Sequence, residues 1–277
     1  MEKIDLHIHS SLSDGSLSPE SVVNYAIENG CQKISITDHD LVTDFSDLSQ
    51  KYDIPIIAGI EINSSYRNMH FLGYGMENIK LINSAMLDLR MKNEKICFEV
   101  VRMMYDDGFD ISVDKIREFI KSNGCNCSIL DKRKIVKYLI YKKYVSNVVD
   151  AYHKLIGFNK KYYVPNHKLT PTETIKLIHQ SNGIVFLAHP STLTLDCRDL
   201  YNIVLELKDN GLDGIEIANS KITPEQSLEY AKIADRVGLL KSVGSDFHNP
   251  ENDYIGVLTE NDIYKKIDEK ISLIRKR

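Results

Sequence analysis

The sequence alternates between short apolar runs and amphipathic stretches, and this rhythm constrains the fold of the 277-residue chain more than any other feature. The amphipathic stretches carry helix signals, such as Pro19 and Pro224 in the first turn and Gly30 and Gly211 at the end. Strand, crossover helix and strand in succession are typical of a parallel sheet. Seven apolar runs are predicted to be strands, at residues 3–6, 33–37, 54–58, 69–73, 183–188, 214–218 and 241–244. The pattern predicts an α/β barrel of the TIM type, or a barrel one strand short of it.

One long helical segment interrupts this rhythm. Between residues 77 and 165, apolar residues recur at spacings of three and four, which is typical of helices. The segment carries 17 Lys and Arg against 11 Asp and Glu, a net charge of +6, whereas the rest of the chain carries 18 against 28, or −10. We therefore predict a barrel domain from residues 1–76 and 166–277 and a helical insert, or lid, at 77–165. The opposite charges suggest that the two parts face each other across something anionic.

The composition is that of an ordinary globular chain, with 43% hydrophobic and 27% charged residues. A net charge of −4 excludes a strongly basic nucleic-acid coat protein. No apolar run approaches the roughly 20 residues that span a bilayer, and the N-terminus lacks a signal-peptide pattern. We therefore expect a cytoplasmic protein with no membrane partner. The odd number of cysteines predicts free thiols at Cys31, Cys97, Cys125, Cys127 and Cys197.

Histidines and acidic residues gather at the ends of the predicted strands, where six of the nine histidines lie. They occur in His7-Ile8-His9, Asp38-His39-Asp40, Gly59-Ile60-Glu61, His70, His189-Pro190 and Asp246-Phe247-His248. In a parallel barrel the carboxyl ends of the strands meet on one face, where catalytic groups from different strands converge. His70 departs from the pattern, because it stands at the start of its predicted strand.

This pattern indicates a metal centre. His7 and His9 are two residues apart on a strand, so both side chains point to the same side and can chelate one ion. A carboxylate such as Glu61 has two oxygens and can bridge two metals about 3.5–4 Å apart. A single histidine at a strand end is usually structural, but six of them with Asp14, Glu61 and Asp246 indicate a shared role. Buried without metal, such a cluster would leave many polar groups unsatisfied.

The motifs resemble those of the PHP superfamily, which is named for polymerase and histidinol phosphatase domains. The resemblance is carried by Asp5-Leu6-His7-Ile8-His9-Ser10, Ser13-Asp14-Gly15, Thr37-Asp38-His39-Asp40, Gly59-Ile60-Glu61-Ile62, His70, Ala188-His189-Pro190 and Gly244-Ser245-Asp246-Phe247-His248. It covers the whole chain in the expected order. It implies a distorted (β/α)7 TIM-like barrel with a trinuclear centre that hydrolyses phosphoesters.

By this resemblance, nine side chains carry catalysis by holding three divalent metal ions. The first ion would be held by His7, His9, Glu61 and Asp246, the second by Glu61, His70 and His189, and the third by Asp14, His39 and His248. Imidazoles with carboxylates suit Mn²⁺, Zn²⁺ or Fe²⁺ and do not choose among them. Asp38 and Asp40 would orient His39 and its neighbours.

Within the superfamily, the chain is similar to a bacterial branch with a helical insert after the fourth strand. Members hydrolyse nucleoside 3′,5′-bisphosphates, and some trim short RNA from the 5′ end. The likeness implies a 3′,5′-bisphosphate nucleotide or a short 5′-phosphorylated oligonucleotide as substrate. The branch commonly shows Gly-Arg-Pro-His-Ile-Ala in the insert, where this chain reads Asp131-Lys132-Arg133-Lys134-Ile135-Val136. The segment of this chain is still basic, but it lacks the histidine, and its arginine stands at a different position.

The residues permit a mechanism in which a hydroxide bridging two metals attacks phosphorus in line with the leaving oxygen. We expect the insert to bind substrate phosphate through Arg90, Lys132, Arg133 and Lys134, because cationic side chains pair well with phosphate oxygens. Their alternative role is a solvated helix face.

Three other functions stay open at this level. One is a phosphatase for a small non-nucleotide phosphate such as histidinol phosphate. Another, of a different class, is a non-catalytic metal-binding PHP module. The third is an amidohydrolase that acts on C–N bonds.

Overall fold

The computed structural model describes residues 1–67, 69–123, 129–259 and 262–276. The chain forms two compact units: a barrel unit, Met1–Ser84 with Lys168–Arg277, and a helical unit, Ala85–His167. No helix in the described part is both long and apolar enough to cross a membrane. The cysteines that the structure describes, Cys31, Cys97 and Cys197, are free thiols, and the predicted thiols of Cys125 and Cys127 lie outside the described residues.

The described part of the barrel unit contains an eight-stranded sheet. Its strands are β1 Glu2–Ile8, β2 Lys33–Ile36, β3 Ile56–Asn63, β4 His70–Tyr74, β5 Ile184–Leu187, β6 Gly214–Ala218, β7 Leu240–Val243 and β8 Val257–Thr259. The strand order is β7-β6-β5-β4-β3-β2-β1-β8. The segment after β7 pairs with the end of β1: the Asp246 N–H donates to the His7 carbonyl, and the His9 N–H to the Phe247 carbonyl, both at 2.9 Å. The sheet therefore curls into a nearly closed barrel, which confirms the predicted fold class.

One predicted strand, β4, runs against the predicted parallel direction, and the sheet has an eighth strand, β8, that the sequence did not predict. β4 is antiparallel to both β3 and β5, with Asn63 opposite His70 and Phe71 opposite Leu187. A parallel return needs a crossover of about a dozen residues or more, and residues 64–69 are too few. β8 is antiparallel to β1 and, at three residues, too short to stand out as an apolar run.

Ten α-helices are described in chain order. They are α1 Pro19–Glu28, α2 Ser46–Tyr52, α3 Ile79–Asp106, α4 Val113–Ser122, α5 Lys132–Tyr141, α6 Val148–Ala151, α7 Pro171–Gln180, α8 Cys197–Asp209, α9 Pro224–Val237 and α10 Asp262–Arg275. Several begin where the sequence signals a cap. The Thr170 and Thr223 side chains each form a capping box with the third helical residue, Glu173 and Gln226.

The helical unit has a hydrophobic core of its own. Val100, Met104, Ile116, Ile135 and Leu139 are fully buried in it. The helical pattern that the sequence shows between residues 77 and 165 is divided into separate helices: α5 ends at Tyr141, and a π-helical turn, Tyr152–Ile156, follows α6. Residues 85–167 carry 16 Lys and Arg against 10 Asp and Glu, so that this unit alone has a net charge of +6.

Candidate metal centre

All nine predicted metal ligands lie in the barrel unit, and the structure brings them together. Ile8 of β1 belongs to the buried cluster that includes Val22 and Ala26 of α1. Because successive side chains of a strand point to opposite faces, His7 and His9 point the other way, into the barrel. Of the remaining predicted ligands, Glu61 lies in β3 and His70 begins β4, whereas the others lie in the segments that follow β1, β2, β5 and β7.

The antiparallel direction of β4 explains the position of His70. The amino end of β4 lies beside the carboxyl ends of β3 and β5, where Asn63 and Leu187 are its neighbours. A histidine at the start of β4 therefore reaches the same face as histidines at the ends of the parallel strands. The His70 Nδ1 lies 2.7 Å from the Glu61 Oε1.

Four of the ligands form a buried group with a tight geometry. The Nε2 atoms of His7 and His9 lie 3.4 and 3.1 Å from the Glu61 Oε2, and both lie 3.4 Å from the Asp246 Oδ1. Ligand atoms about 2.1 Å from a tetrahedral zinc are about 3.4 Å apart, so the spacing suits one ion.

Glu61 joins this group to the rest of the cluster. Its Oε2 also lies 3.3 Å from the His39 Nε2, whereas its Oε1 lies 2.7 Å from the His70 Nδ1 and 2.8 Å from the His189 Nε2. The two oxygens of one carboxylate thus face different sets of imidazoles. This is the arrangement expected of a carboxylate that bridges two metal ions.

Asp14 assembles a further group nearer to the solvent. Its Oδ1 lies 3.6 Å from the His9 Nδ1 and 3.6 Å from the His248 Nε2, and its Oδ2 lies 3.7 Å from the His39 Nε2. Gly15 allows this placement, because a Cβ there would lie 2.4 Å from the His9 carbonyl oxygen. The close turn after Asp14 therefore requires glycine.

The donor atoms fit divalent cations. The His7 Nε2 and both ring nitrogens of His9 are buried without a hydrogen-bond partner among the described residues. Buried polar atoms are seldom left unpaired, because each costs free energy of desolvation. The imidazoles also crowd together, with ring centroids 4.2 Å apart for His9 and His248 and 4.7 Å apart for His9 and His39. Ligation to metal would satisfy these nitrogens.

The electrostatics of the cluster also favour cations. Burial opposes protonation of His9, yet the neighbouring carboxylates of Asp246 and Glu61 outweigh it and raise the pKa of His9 to about 10. Burial likewise opposes ionisation of Glu61 and Asp246, but the surrounding imidazoles hold the pKa of both carboxyls well below the usual range. The site therefore keeps its carboxylates ionised and draws positive charge between them.

Sequence reasoning missed Glu216, a fully buried carboxylate on β6. Its Oε1 lies 2.9 Å from the His7 Nδ1, and its Oε2 accepts from the His189 N–H at 2.6 Å and from the Asn219 Nδ2 at 2.9 Å. A carboxylate that takes the Nδ1 proton of a histidine leaves Nε2 free to bind metal. One signal was available: Gly214-Ile215-Glu216-Ile217 repeats the motif of Gly59-Ile60-Glu61-Ile62, an acid inside an apolar strand.

Two more buried carboxylates fix the loops that carry ligands. Asp5 accepts from the Ser245 N–H at 2.9 Å and the Gly256 N–H at 2.7 Å, which ties β1 to the loop of Asp246, and burial raises its pKa to about 6. Asp38 accepts from the Ser10 N–H at 2.8 Å and from the Ser13 hydroxyl at 2.6 Å. Asp38 thus anchors the loop that presents Asp14, a contact that the sequence did not indicate.

The backbone is strained at three residues of this region. Asp40, His189 and Asp246 have positive φ angles of 57°, 24° and 59°. Residues other than glycine adopt such φ angles at a cost of about 1–3 kcal/mol, and such strain concentrates at functional sites. Two of these residues, His189 and Asp246, are predicted ligands, so the rest of the fold stabilises a strained backbone that orients their side chains.

The four predicted phosphate-binding residues, Arg90, Lys132, Arg133 and Lys134, all lie in the helical unit. The Lys132 ammonium donates to the Val164 carbonyl. Lys134 is buried, and its ammonium donates to the Ile129 carbonyl at 2.5 Å. The Arg133 Nη2 lies 3.4 Å from the Asp131 Oδ2. Their role in substrate binding stays a prediction.

A barrel that gathers buried His, Asp and Glu side chains able to hold divalent metals at its strand ends is typical of metal-dependent hydrolases. The PHP domain family matches residues 5–185, more than half of the chain, and the chain belongs to that family. It is a metal-dependent phosphoesterase, as the sequence motifs indicated.

Curated relatives cover most of the chain. A 5′-3′ exoribonuclease of Haemophilus influenzae is 27% identical over 255 residues, with 90% of this chain and 91% of the relative aligned. A phosphoribosyl 1,2-cyclic phosphate 1,2-diphosphodiesterase of Eggerthella lenta is 26% identical, with 88% and 93% aligned. A 3′,5′-nucleoside bisphosphate phosphatase of Chromobacterium violaceum is 23% identical, with 90% and 88% aligned.

Solved structures share the fold. An amidohydrolase of Chromobacterium violaceum, with sulfate bound and no metal, superimposes with a TM-score of 0.82 at 22% identity over 96% of both chains. A protein of Bifidobacterium adolescentis assigned as a metal-dependent phosphoesterase gives a TM-score of 0.82 at 24% identity over 96% of both chains. These likenesses show the fold of the aligned part of the chain.

Proposed function

We propose that this chain hydrolyses a phosphoester of a nucleotide, either a 3′,5′-bisphosphate nucleotide or a short 5′-phosphorylated oligonucleotide. The observation that carries the proposal is the cluster of nine predicted ligands at the barrel mouth, with Glu61 at its centre. Two relatives that align over about nine-tenths of the chain are named as a 5′-3′ exoribonuclease and a 3′,5′-nucleoside bisphosphate phosphatase. The net charge of +6 on the helical unit suits a polyanionic substrate.

The cluster would hold three divalent ions, with Mn²⁺, Zn²⁺ and Fe²⁺ as the candidates. His7, His9, Glu61 and Asp246 form the first ligand group. His70 and His189 with Glu61 form the second, and Asp14, His39 and His248 form the third. When bound, the ions lower the pKa of water and neutralise phosphoryl oxygens.

The side chains of the cluster determine where the substrate enters. His7, His9 and Glu61 are fully buried, whereas His70 and His248 are 20% and 32% exposed. The phosphate therefore approaches from the side of His70 and His248. Water supplies the attacking oxygen, so no protein nucleophile is needed, and the alcohol leaves in line with the attack. In the helical unit, Arg90 and Arg133 are the proposed guanidinium contacts for a second phosphate.

The relative from Eggerthella lenta favours a second candidate, a cyclic phosphodiester of a sugar phosphate. A small phosphomonoester without a nucleobase, such as histidinol phosphate, is a third candidate. These candidates share the metal chemistry and differ in what lies beyond the reacting phosphate. The choice among them is therefore a question of substrate preference.

The test is hydrolysis by the purified protein, stripped with chelator and reloaded with Mn²⁺ or Zn²⁺. Phosphomonoester cleavage is measured as inorganic phosphate, and cleavage of the RNA trimers and of the cyclic diester is measured by chromatography of the products. The panel comprises 3′-phosphoadenosine 5′-phosphate, 5′-phosphorylated and 5′-hydroxyl RNA trimers, phosphoribosyl 1,2-cyclic phosphate, histidinol phosphate and p-nitrophenyl phosphate. We expect the highest kcat/KM on a nucleotide with more than one phosphate. A preference for either small phosphate by tenfold or more would refute the nucleotide assignment.

Two variants control the experiment. Glu61→Gln removes the bridging charge and should abolish every activity of the panel. His179→Gln removes a histidine that pairs with Asp213 outside the cluster, at 2.8 Å, and should retain wild-type activity. Loss of activity in both variants would point to unfolding instead of a specific role.

A further inference from the structure

Lys221 lies beside the metal ligands in the barrel unit, and neither the sequence nor the proposed metal binding gives it a role. It follows β6 in the segment that leads to α9. Its ammonium donates to the Asp246 Oδ2. The other oxygen of Asp246 faces the His7 and His9 Nε2 atoms at 3.4 Å. Lys221 therefore contacts the outer side of a carboxylate whose inner side faces the proposed first metal ion.

The backbone holds Lys221 in this place. Its N–H donates to the Asn219 Oδ1 at 2.7 Å. Asn219 is itself buried, and its Nδ2 donates to the Glu216 Oε2 at 2.9 Å. The preceding Ser220 N–H donates to the Ser245 carbonyl at 3.4 Å. The segment that carries Lys221 is thus fixed to the same buried network that orients His7.

The ammonium stands at the boundary between the cluster and solvent. The Lys221 side chain is 54% exposed, whereas the Asp246 side chain is 4% exposed. An ammonium carries three N–H groups, and the contact with Asp246 uses one of them. An anion at the barrel mouth can therefore be contacted without breaking the contact with Asp246.

A counter-ion for Asp246 is the competing role. Asp14, Glu61, Glu216 and Asp246 bring four carboxylates into or against the cluster. Without metal, a lysine beside Asp246 offsets part of this charge. Once divalent cations neutralise Asp246, however, the lysine adds positive charge at the mouth, where it attracts an anion.

We propose that Lys221 is a phosphate-binding residue of this site, which contacts an oxygen of the substrate phosphate while Asp246 holds its ammonium in place. The inference rests on the proposed phosphoester hydrolysis at the cluster. The Lys221 ammonium is then a positively charged group of the barrel unit that recognises the anionic substrate. A lysine suits this role, because it is a compact cation with rotatable donors.

The experiment compares Lys221→Met, Lys221→Arg and a matched control, Lys241→Met. Lys241 is also a lysine of the barrel unit in an ion pair, 2.7 Å from Asp235, but it lies on β7 near its amino end, away from the mouth. The Mn²⁺-loaded proteins are titrated with inorganic phosphate by calorimetry, and their metal content is measured by mass spectrometry. Phosphate binding is read without any turnover.

We expect Lys221→Met to weaken phosphate binding by about 10- to 100-fold, the loss typical of one hydrogen bond to a charged group. Metal content should stay at the wild-type value, Lys221→Arg should recover most of the affinity, and Lys241→Met should bind phosphate normally. Unchanged phosphate affinity in fully loaded Lys221→Met would overturn the inference. So would a fall in metal content that accounts for the lost phosphate binding, because Lys221 would then be a counter-ion for Asp246.

Hydrolysis by the wild-type protein separates this inference from the proposed function. A wild-type protein that hydrolyses the nucleotide panel while Lys221→Met binds phosphate equally well refutes only the role of Lys221. A wild-type protein that binds phosphate through Lys221 but hydrolyses no nucleotide phosphoester refutes only the proposed substrate. Absence of both phosphate binding and nucleotide hydrolysis in the loaded wild-type protein refutes both.

Discussion

Replacing Glu216 by glutamine should damage the metal centre although Glu216 is not one of its ligands. The glutamate accepts three hydrogen bonds, from the His7 Nδ1, the His189 N–H and the Asn219 Nδ2. A glutamine of the same shape has one acceptor oxygen in place of two. If that oxygen stays with the two amide donors, the new NH₂ group faces the His7 Nδ1.

The consequence falls on the tautomer of His7. An NH₂ group beside Nδ1 makes Nδ1 an acceptor, which moves the ring proton to Nε2. That atom faces the Glu61 Oε2 and the Asp246 Oδ1, both at 3.4 Å, where the ion should lie. A protonated Nε2 cannot ligate metal, so one of four ligands of this group is lost.

Substitution of such supporting residues typically reduces metal affinity by about 10- to 100-fold. This corresponds to about 1.4–2.8 kcal/mol of binding free energy. The assay is competition between the protein and a fluorescent chelator for Zn²⁺ at pH 7.5, with circular dichroism to verify folding. The matched control is Asp213→Asn, which amidates a carboxylate immediately before the start of β6; the Asp213 Oδ2 accepts from the Val185 N–H at 3.0 Å.

The control should bind metal normally. An affinity of Glu216→Gln within about threefold of the wild type would refute the tautomer argument, provided that the variant is folded. An equal loss of affinity in Asp213→Asn would refute it too, since the effect would then follow from general destabilisation of the barrel.

Three further predictions concern metal removal, pH and the helical unit. Saturating metal at about 100 times its dissociation constant should stabilise the stripped protein by about 2.7 kcal/mol, visible as a higher Tm; an unchanged Tm would contradict metal binding by the folded chain. Hydrogen bonds from Lys115 and Lys142 lower the pKa of Asp110 to about 2. Because this pKa lies below that of the unfolded chain, the Asp110 carboxylate stabilises the fold above about pH 4, and this contribution is lost towards pH 2. Between these pH values, Asp110→Asn should therefore lose less free energy of unfolding than the wild type in urea titrations. An equal loss in both proteins would count against the contacts. Arg133→Ala should weaken binding of 3′-phosphoadenosine 5′-phosphate much more than binding of metal, with Arg117→Ala as the control; equal loss of both would exclude a substrate-binding role.

The sequence alone determined the barrel, its family and the histidines and acids that the structure gathers at the barrel mouth. Histidines and acids stood at the ends of apolar runs, and a barrel gathers such ends on one face whatever its detailed geometry. The helical insert was likewise visible, because residue spacing changed from the strand–helix rhythm to a continuous helical pattern. These features depend on local periodicity, which one chain displays directly.

Only the tertiary structure decided how the centre is supported. The direction of β4, which brings His70 to the mouth, depends on which strand edges are available to pair, and a five-residue strand reads the same in either direction. The contacts of Glu216 with His7 and of Lys221 with Asp246 join residues 209 and 25 positions apart. No periodicity records such pairs, because they exist only once the barrel has closed.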